Sequence, residues 1–101
     1  MNMDVKIQSI KFDADKKLID FINAKLSKLE RFYDAIIGAE VFLKLEKSQG
    51  LDNKNVEIKL IIPGNDLFVG RQAKTFEEGV DACIEVLKRQ VTKHKEKQRA
   101  N

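Results

Sequence analysis

A run of basic side chains near the end of the chain is the feature with the clearest chemical capacity. The twelve residues from Lys88 to Arg99, KRQVTKHKEKQR, hold six lysines and arginines against one acid, Glu96. Their local charge is therefore +5, whereas the whole chain of 101 residues carries only +3. Basic residues near the carboxyl end of a helix interact favourably with its dipole, but one or two are enough for this effect. The larger number of basic residues here favours a polyanionic partner, and nucleic acid is the first candidate.

Enzymatic chemistry has little support among the residue types. His94 is the single histidine, and we can assemble no catalytic triad, histidine-based metal site or paired-carboxylate centre around it. Gly64 and Gly70 fall in a predicted turn and strand, so neither belongs to a phosphate-cradling loop. We predict a protein that is not an enzyme and uses no metal or cofactor. His94 is then a base-stacking residue, a phosphate-contacting residue or plain surface.

The basic run is positioned by a predicted last helix. Thr75 and Glu78 form a capping box at its start, and an apolar stripe follows at helical spacing: Phe76, Val80, Cys83, Ile84, Leu87 and Val91. The stripe stops at Val91, so we expect the helix to continue past the core that it packs against. Its basic residues lie on two flanks of the stripe, Lys88, Lys95 and Arg99 on one and Arg89, Lys93 and Lys97 on the other. Gly79 is expected to allow close packing against another helix.

A second amphipathic helix is predicted from an N-cap at Asp15 to about Tyr33. Its buried stripe is Leu18, Ile22, Leu26, Leu29 and Tyr33. One margin of that stripe carries Phe21, Lys25, Lys28 and Phe32. The two lysines have two interpretations: their aliphatic stems cover apolar surface with the ammonium groups in water, or they line a groove.

Alternating apolar residues predict four strands. They span Asp4 to Phe12, with a phase slip near Ser9, Ala39 to Lys47, Val56 to Ile62, and about Leu67 to Ala73. Ser48 to Asn55 is expected to be a mobile loop, and Pro63 to Asp66 a turn. The predicted fold is α+β, in the order β-α-β-β-β-α, with both helices on one face of a four-stranded sheet. The last three strands form an antiparallel meander, and the first is parallel to the second.

The length fits a single domain over residues 1–101, with the last few residues disordered. The start of the chain, MNMDVKIQSIKF, lacks the apolar block of a signal peptide. No run approaches the roughly 18 to 20 apolar residues of a membrane span. We therefore expect a cytoplasmic protein that does not contact membranes. Cys83 is the only cysteine, which leaves no intrachain disulfide, and its apolar neighbours predict a core position.

Three segments in this order make the chain resemble the short-form bacterial ribosome hibernation promoting factors, the family that includes the ribosome-associated inhibitor protein Y. The segments are AKLSKLE, Ala24 to Glu30, then LKLEK, Leu43 to Lys47, and RQVTKHKEK, Arg89 to Lys97. The resemblance covers nearly the whole chain. It implies two parallel helices with a basic surface that binds the small ribosomal subunit and its 16S-type ribosomal RNA.

The resemblance also implies a mechanism and a set of contacts. The protein would occupy the decoding channel, at the A and P sites for transfer RNA, and block translation in stationary phase or stress. The implied RNA-binding residues are Lys25, Lys28, Lys88, Arg89, Lys93, His94, Lys95 and Lys97, with Gln90 and Thr92 as weaker candidates. A separate ribosome-dimerising factor is a further implied partner, and off the ribosome the protein is expected to be a monomer.

The chain departs from the family pattern in two places. Related sequences commonly begin the last helix with Asp-Met-Tyr, whereas this chain has Thr75-Phe76-Glu77, so a role of that tyrosine does not transfer. Arg71 and Lys74 add positive charge before it. The chain ends at Asn101 without an acidic tail or a dimerisation domain, which favours the hibernation-promoting type.

Two other functions are compatible with parts of the sequence. A double-stranded RNA-binding domain shares the α-β-β-β-α order, but it places lysines at the start of its last helix. Here that start holds Thr75, Glu77 and Glu78. The second alternative is a regulatory protein-interaction module whose basic helix docks on an acidic protein.

Overall fold

The computed structural model describes residues 3–46 and 52–99, which form four strands and two helices. The elements are β1 (Asp4–Ile10), α1 (Lys16–Phe32), β2 (Gly38–Leu45), β3 (Lys54–Ile62), β4 (Asn65–Ala73) and α2 (Phe76–Arg99). This order confirms the predicted β-α-β-β-β-α arrangement. The loop predicted from Ser48 to Asn55 lies partly outside the described residues. Ala100 and Asn101, part of the segment predicted to be disordered, also lie outside them. The prediction of a loop at Lys54 and Asn55 was wrong, because β3 already begins at Lys54.

The sheet has the strand order β1-β2-β3-β4. β1 pairs with β2 in parallel, and the other two pairings are antiparallel, as predicted. The β3–β4 turn is shorter than expected. Asn65 and Asp66 pair with Ile62 and Ile61 in the ladder, so only Pro63 and Gly64 form the turn. Gly64 has a φ of 78°, a conformation that glycine adopts without steric cost.

The phase change predicted near Ser9 lies two residues further along the chain. β1 alternates regularly up to Ile10, and Lys11 then takes a left-handed φ of 70°. This turn of the backbone ends the strand before Phe12, which was predicted to belong to it. Phe12 instead packs against the core and stacks on Phe76, with ring centroids 4.6 Å apart and an interplanar angle of 9°.

Both helices begin at the predicted caps. The Asp15 carboxylate accepts a hydrogen bond of 2.9 Å from the Leu18 amide, and the Thr75 hydroxyl accepts one of 3.0 Å from the Glu78 amide. Each bond satisfies an amide that has no partner within its own helix. Both predicted apolar stripes are buried. The core therefore lies between the helices and one face of the sheet.

The contacts between α1 and α2 show that the helices run in parallel. Phe12, before α1, touches Phe76 at the start of α2; Lys25 pairs with Asp81; and at the far ends Tyr33 packs on His94. From one contact to the next, the residue numbers increase in both helices, so the two helices run in the same direction. The carboxyl ends of α1 and α2 therefore lie at the same end of the molecule, together with most of the basic run.

Cys83 occupies the core position predicted for it. Its side chain is fully buried, and its thiol donates a long hydrogen bond of 3.6 Å to the Val56 carbonyl oxygen. Burial raises the pKa of the thiol to about 11. Because the thiolate is the reactive form, Cys83 is a structural residue.

The close approach predicted for Gly79 exists, but its partner is a strand and not a helix. A Cβ atom on Gly79 would lie 2.7 Å from the Cγ2 methyl of Val56 on β3 and 3.8 Å from the Cβ of Ala73. The expectation of helix-to-helix packing was wrong because Gly79 lies on the side of α2 that faces the sheet. Glycine at this position lets α2 pack closely on β3.

Replacement of Gly79 by alanine tests this contact. Alanine gains about 1 kcal/mol of helix propensity over glycine, but overpacking a buried site costs about 1–3 kcal/mol. We expect Gly79→Ala to lower the free energy of unfolding by about 1 kcal/mol in urea titrations. In a Val56→Ala background, which lacks the opposing methyl group, the same change should be neutral or stabilising. An equal loss in both backgrounds would contradict the proposed contact.

Candidate nucleic-acid interface

The flank of α2 that faces α1 forms a groove with it. Six residues line this inter-helix groove, which encloses about 370 Å³: Lys25, Lys28, Asp81, Ile84, Glu85 and Lys88. Lys25 and Lys28 of α1 therefore meet Lys88 of α2, which is distant from them in the sequence, on one surface. Lys28 and Lys88 are exposed, whereas the side chain of Lys25 is 31% exposed.

Lys25 is already engaged within the groove. Its Nζ lies 3.0 Å from an Asp81 carboxylate oxygen and 5.2 Å from the centroid of the Phe21 ring. The Lys25 ammonium therefore lines the groove between a carboxylate and an aromatic ring, which fits the groove-lining interpretation. Because Asp81 offsets the charge of Lys25, Lys28 and Lys88 present the less compensated charges to a polyanion.

Lys95 reaches across from α2 to the end of α1. Its Nζ lies 5.0 Å from the centroid of the Phe32 ring and 3.5 Å from the Phe32 carbonyl oxygen. An ammonium over an aromatic face is attracted by the ring quadrupole. The carbonyl also belongs to the negative end of the α1 dipole. Lys95 is therefore partly buried and held at the carboxyl end of the groove.

His94 shows that α2 stays packed beyond Val91, where the sequence predicted the packing to stop. The His94 ring meets the ring of Tyr33 edge-on, with centroids 6.1 Å apart and an interplanar angle of 74°. Tyr33 is buried as the C-cap of α1 and extends the core by one turn. His94 Nε2 is inaccessible to solvent and has no hydrogen-bond partner within the described residues. The interpretation of His94 as plain surface is therefore wrong.

The second basic flank of α2 faces away from α1. Arg89, Lys93 and Lys97 are exposed, and Lys97 lies five helical turns after Gly79, which packs toward the sheet. The two flanks and α1 together form what we call the basic surface: Lys25, Lys28, Lys88, Arg89, Lys93, Lys95 and Lys97. Arg71 and Lys74 stand outside it, because they lie beside the start of α2.

The two weaker candidates each have a polar atom that is not freely available to RNA. Thr92 donates its hydroxyl to the Lys88 carbonyl oxygen at 2.8 Å, one turn earlier in α2. Gln90 is partly buried, and its Oε1 atom is inaccessible. Neither side chain presents its polar atoms as openly as Lys28 or Lys93.

The acidic residues of the groove were not among the predicted site residues. Asp81 and Glu85 precede Lys88 by seven and three residues, which places all three on the same flank of a helix. From that spacing alone, one could have predicted that acidic side chains lie beside Lys88 on this flank of α2. The axial alignment of Lys25 with Asp81 could not have been predicted, since it depends on how far one helix is shifted along the other.

Comparison with known proteins identifies the family. Residues 5–99 match the family model described as sigma 54 modulation protein / S30EA ribosomal protein. The chain belongs to this family.

Relatives within the S30EA family have similar lengths. A ribosome hibernation promoting factor of Pseudomonas putida is 33% identical over 98 residues, which cover 97% of this chain and 92% of the relative. One from Klebsiella oxytoca is 30% identical, covering 94% of this chain and 96% of the relative. The resemblance inferred from the sequence is thereby confirmed. The S30EA family is not enzymatic, which confirms that expectation as well.

Two solved structures share the fold. A ribosomal subunit interface protein from Coxiella burnetii superposes with a TM-score of 0.82 at 20% identity, covering 92% of this chain and 98% of that one. The Thermus thermophilus protein Y N-terminal domain gives a TM-score of 0.75 at 23% identity, with coverage of 93% and 99%. None of the helices described for this S30EA chain is long and apolar enough to span a membrane.

Removal of the Asp81 charge tests its effect on the groove. Asp81→Asn frees Lys25 and removes repulsion toward phosphate. We therefore expect roughly fivefold tighter binding of single-stranded RNA at fixed salt. Fluorescence anisotropy with a labelled oligonucleotide measures this change. Asp66→Asn is the matched control, because Asp66 pairs with Lys59 at 3.6 Å on the opposite face of the sheet. Equal or weaker binding by Asp81→Asn would show that the groove does not receive RNA.

Proposed function

We propose that this protein is a ribosome hibernation factor that binds the small ribosomal subunit. By occupying the decoding channel, at the A and P sites, it blocks translation in stationary phase or stress. The observation that carries the proposal is the basic surface, which two parallel helices build from residues distant in the sequence. Membership of the S30EA family and relatives named ribosome hibernation promoting factor support it.

Electrostatic recognition of ribosomal RNA is the proposed mode of binding. Lys28 and Lys88 contact phosphates from the groove, and Arg89, Lys93 and Lys97 do so from the second flank of α2. Lys25, His94 and Lys95, which the protein already holds in place, complete the contact set. Lysine and arginine neutralise phosphates and release counterions, which supplies affinity without reading base sequence. Inhibition follows from occlusion, so no bond is made or broken.

The opposite face of the sheet supports a one-sided orientation on the ribosome. Its charges have both signs, as in the Lys59–Asp66 pair and in Glu40, which lies beside Lys6 and Lys59 in the strand register. Such a face offers little net attraction to RNA. The helical face therefore turns toward 16S-type ribosomal RNA in the cytoplasm. The protein acts as a monomer off the ribosome, with a separate dimerising factor as an additional partner on it.

The start of α2 argues against recognition of an RNA duplex in the manner of a double-stranded RNA-binding domain. Glu77 and Glu78 are exposed in its first turn. They would repel the major-groove phosphates that such domains contact there. Binding through the carboxyl end of α2 is what the charge distribution favours.

Charge reversal on each flank tests the proposal. We expect Lys28→Glu with Lys88→Glu in the groove, and Lys93→Glu with Lys97→Glu on the second flank, each to weaken binding to purified small subunits. A loss of roughly tenfold or more is expected at about 0.1 M salt, because attraction to phosphate becomes repulsion. Co-sedimentation measures the affinity, and circular dichroism verifies the fold.

The matched control reverses two lysines on the opposite sheet face. Lys6 and Lys44 point away from the helices, and their replacement by glutamate changes the net charge by the same amount. This double variant should bind like the wild type. Equal weakening of all three variants would show that only net charge matters, and unchanged binding of both flank variants would refute the proposed surface. Retention of one acidic protein from ribonuclease-treated lysate, without ribosomal components, would instead support the protein-interaction module.

Salt dependence provides a separate test of phosphate binding. If five or six phosphates are neutralised, the logarithm of the association constant should fall against the logarithm of salt concentration with a slope of roughly −4 to −5. The Lys28→Glu, Lys88→Glu variant should have a slope shallower by about 1 for each phosphate that it no longer neutralises. A slope near zero for the wild type would mean that binding does not depend on the basic surface.

A further inference from the structure

Phe32 is an exposed aromatic residue at the carboxyl end of the inter-helix groove. It is the last residue of α1 and is 43% exposed, whereas the adjacent Tyr33 is only 7% exposed. Tyr33 fills the core position at the end of the helix, so the Phe32 ring is left at the surface. Single exposed apolar side chains are ordinary on proteins. The surroundings of Phe32 are what distinguish it.

One ammonium group lies over the Phe32 ring, and a second lysine lies one helical turn before it. The Lys95 ammonium lies over it at 5.0 Å from the centroid, and Lys28 precedes Phe32 by one turn on the same margin of α1. An apolar protein surface placed on this ring would have to displace water from the Lys95 ammonium, which is costly. A nucleotide avoids that cost, since its base offers a π face to the ring and its phosphate meets the ammonium groups.

We infer that Phe32 stacks on an unpaired base of the bound RNA, while Lys28 and Lys95 contact the adjacent phosphates. The inference rests on the proposed function and names the kind of RNA that the groove receives. In an A-form duplex the faces of the bases are covered by their neighbours, so an exposed ring selects a single-stranded nucleotide. A basic groove that follows the backbone, together with an aromatic side chain for a base, is the usual arrangement for binding single strands.

The chain contains no tryptophan, so an indole placed at Phe32 is the only one in this protein, and the emission of small subunits alone is subtracted as a blank. Stacking of a base on the indole of Phe32→Trp should quench its emission when single-stranded oligoadenylate or purified small subunits are added. Phe68→Trp is the matched control, since Phe68 is 55% exposed on the opposite face of the sheet. Its emission should not change with either probe. Unchanged emission of Phe32→Trp under conditions where this variant co-sediments with small subunits would overturn the inference.

Affinity measurements separate stacking from charge. Phe32→Ala should weaken binding to small subunits by about 5- to 150-fold, the effect of removing one stacked base. The salt slope should stay at the wild-type value, and Phe32→Trp should retain near wild-type affinity. Phe32→Leu should bind as weakly as Phe32→Ala if stacking is responsible.

The outcomes distinguish this inference from the proposed function. If the wild type does not co-sediment with small subunits, the proposed function fails and the stacking inference fails with it. If the wild type binds but Phe32→Ala or Phe32→Leu binds equally well, only the stacking inference is overturned.

Discussion

The parallel alignment of α1 and α2 on one face of the sheet is the constraint on which the basic surface depends. Contacts at both ends fix this alignment, Phe12 on Phe76 at one end and Tyr33 on His94 at the other. Between them the helices bury their apolar stripes against the sheet. Because side chains are close-packed there, neither helix can slide without opening cavities. The positions of the lysines are therefore set by the core.

The arrangement of charge reflects a balance between binding and stability. Like charges concentrated on neighbouring helices repel one another and oppose folding. Asp81 and Glu85 reduce that repulsion inside the groove, where Lys25, Lys28 and Lys88 come closest together. Toward the carboxyl ends of the helices the positive charge is stabilised without a carboxylate. There the Lys95 ammonium lies against the aromatic ring and the carbonyl oxygen of Phe32. The second flank is exposed, so water screens its charges.

Local signals in the sequence were enough to predict the elements and their core faces. Asp15 and Thr75 cap the helices by hydrogen bonds within three residues, and the apolar periodicity identifies the buried stripes, so neither depends on distant contacts. The errors occur where tertiary structure decides. Asn65 and Asp66, which were predicted to lie in the turn, pair with β3 and belong to β4. Tyr33 packs on His94, so the core extends further along α2 than the apolar stripe indicated. The charge pattern predicted a polyanion partner, whereas the proposal that this polyanion is ribosomal RNA came from the family resemblance.

Part of the basic run contacts α1, whereas the end of α2 extends beyond those contacts. This difference affects the free energy of binding a polyanion. Lys25 and Lys95 are already held by Asp81 and Phe32, so a polyanion that bound these two lysines would cost little further side-chain entropy. Glu96 and Lys97 are exposed and gain no apolar burial, and the basic run around them repels itself electrostatically, so this part of α2 lies near the low end of local stability. Phosphates bound to Lys97 and its neighbours would relieve that repulsion. Binding then stabilises the end of α2 by mass action, and part of the binding free energy is used to order it.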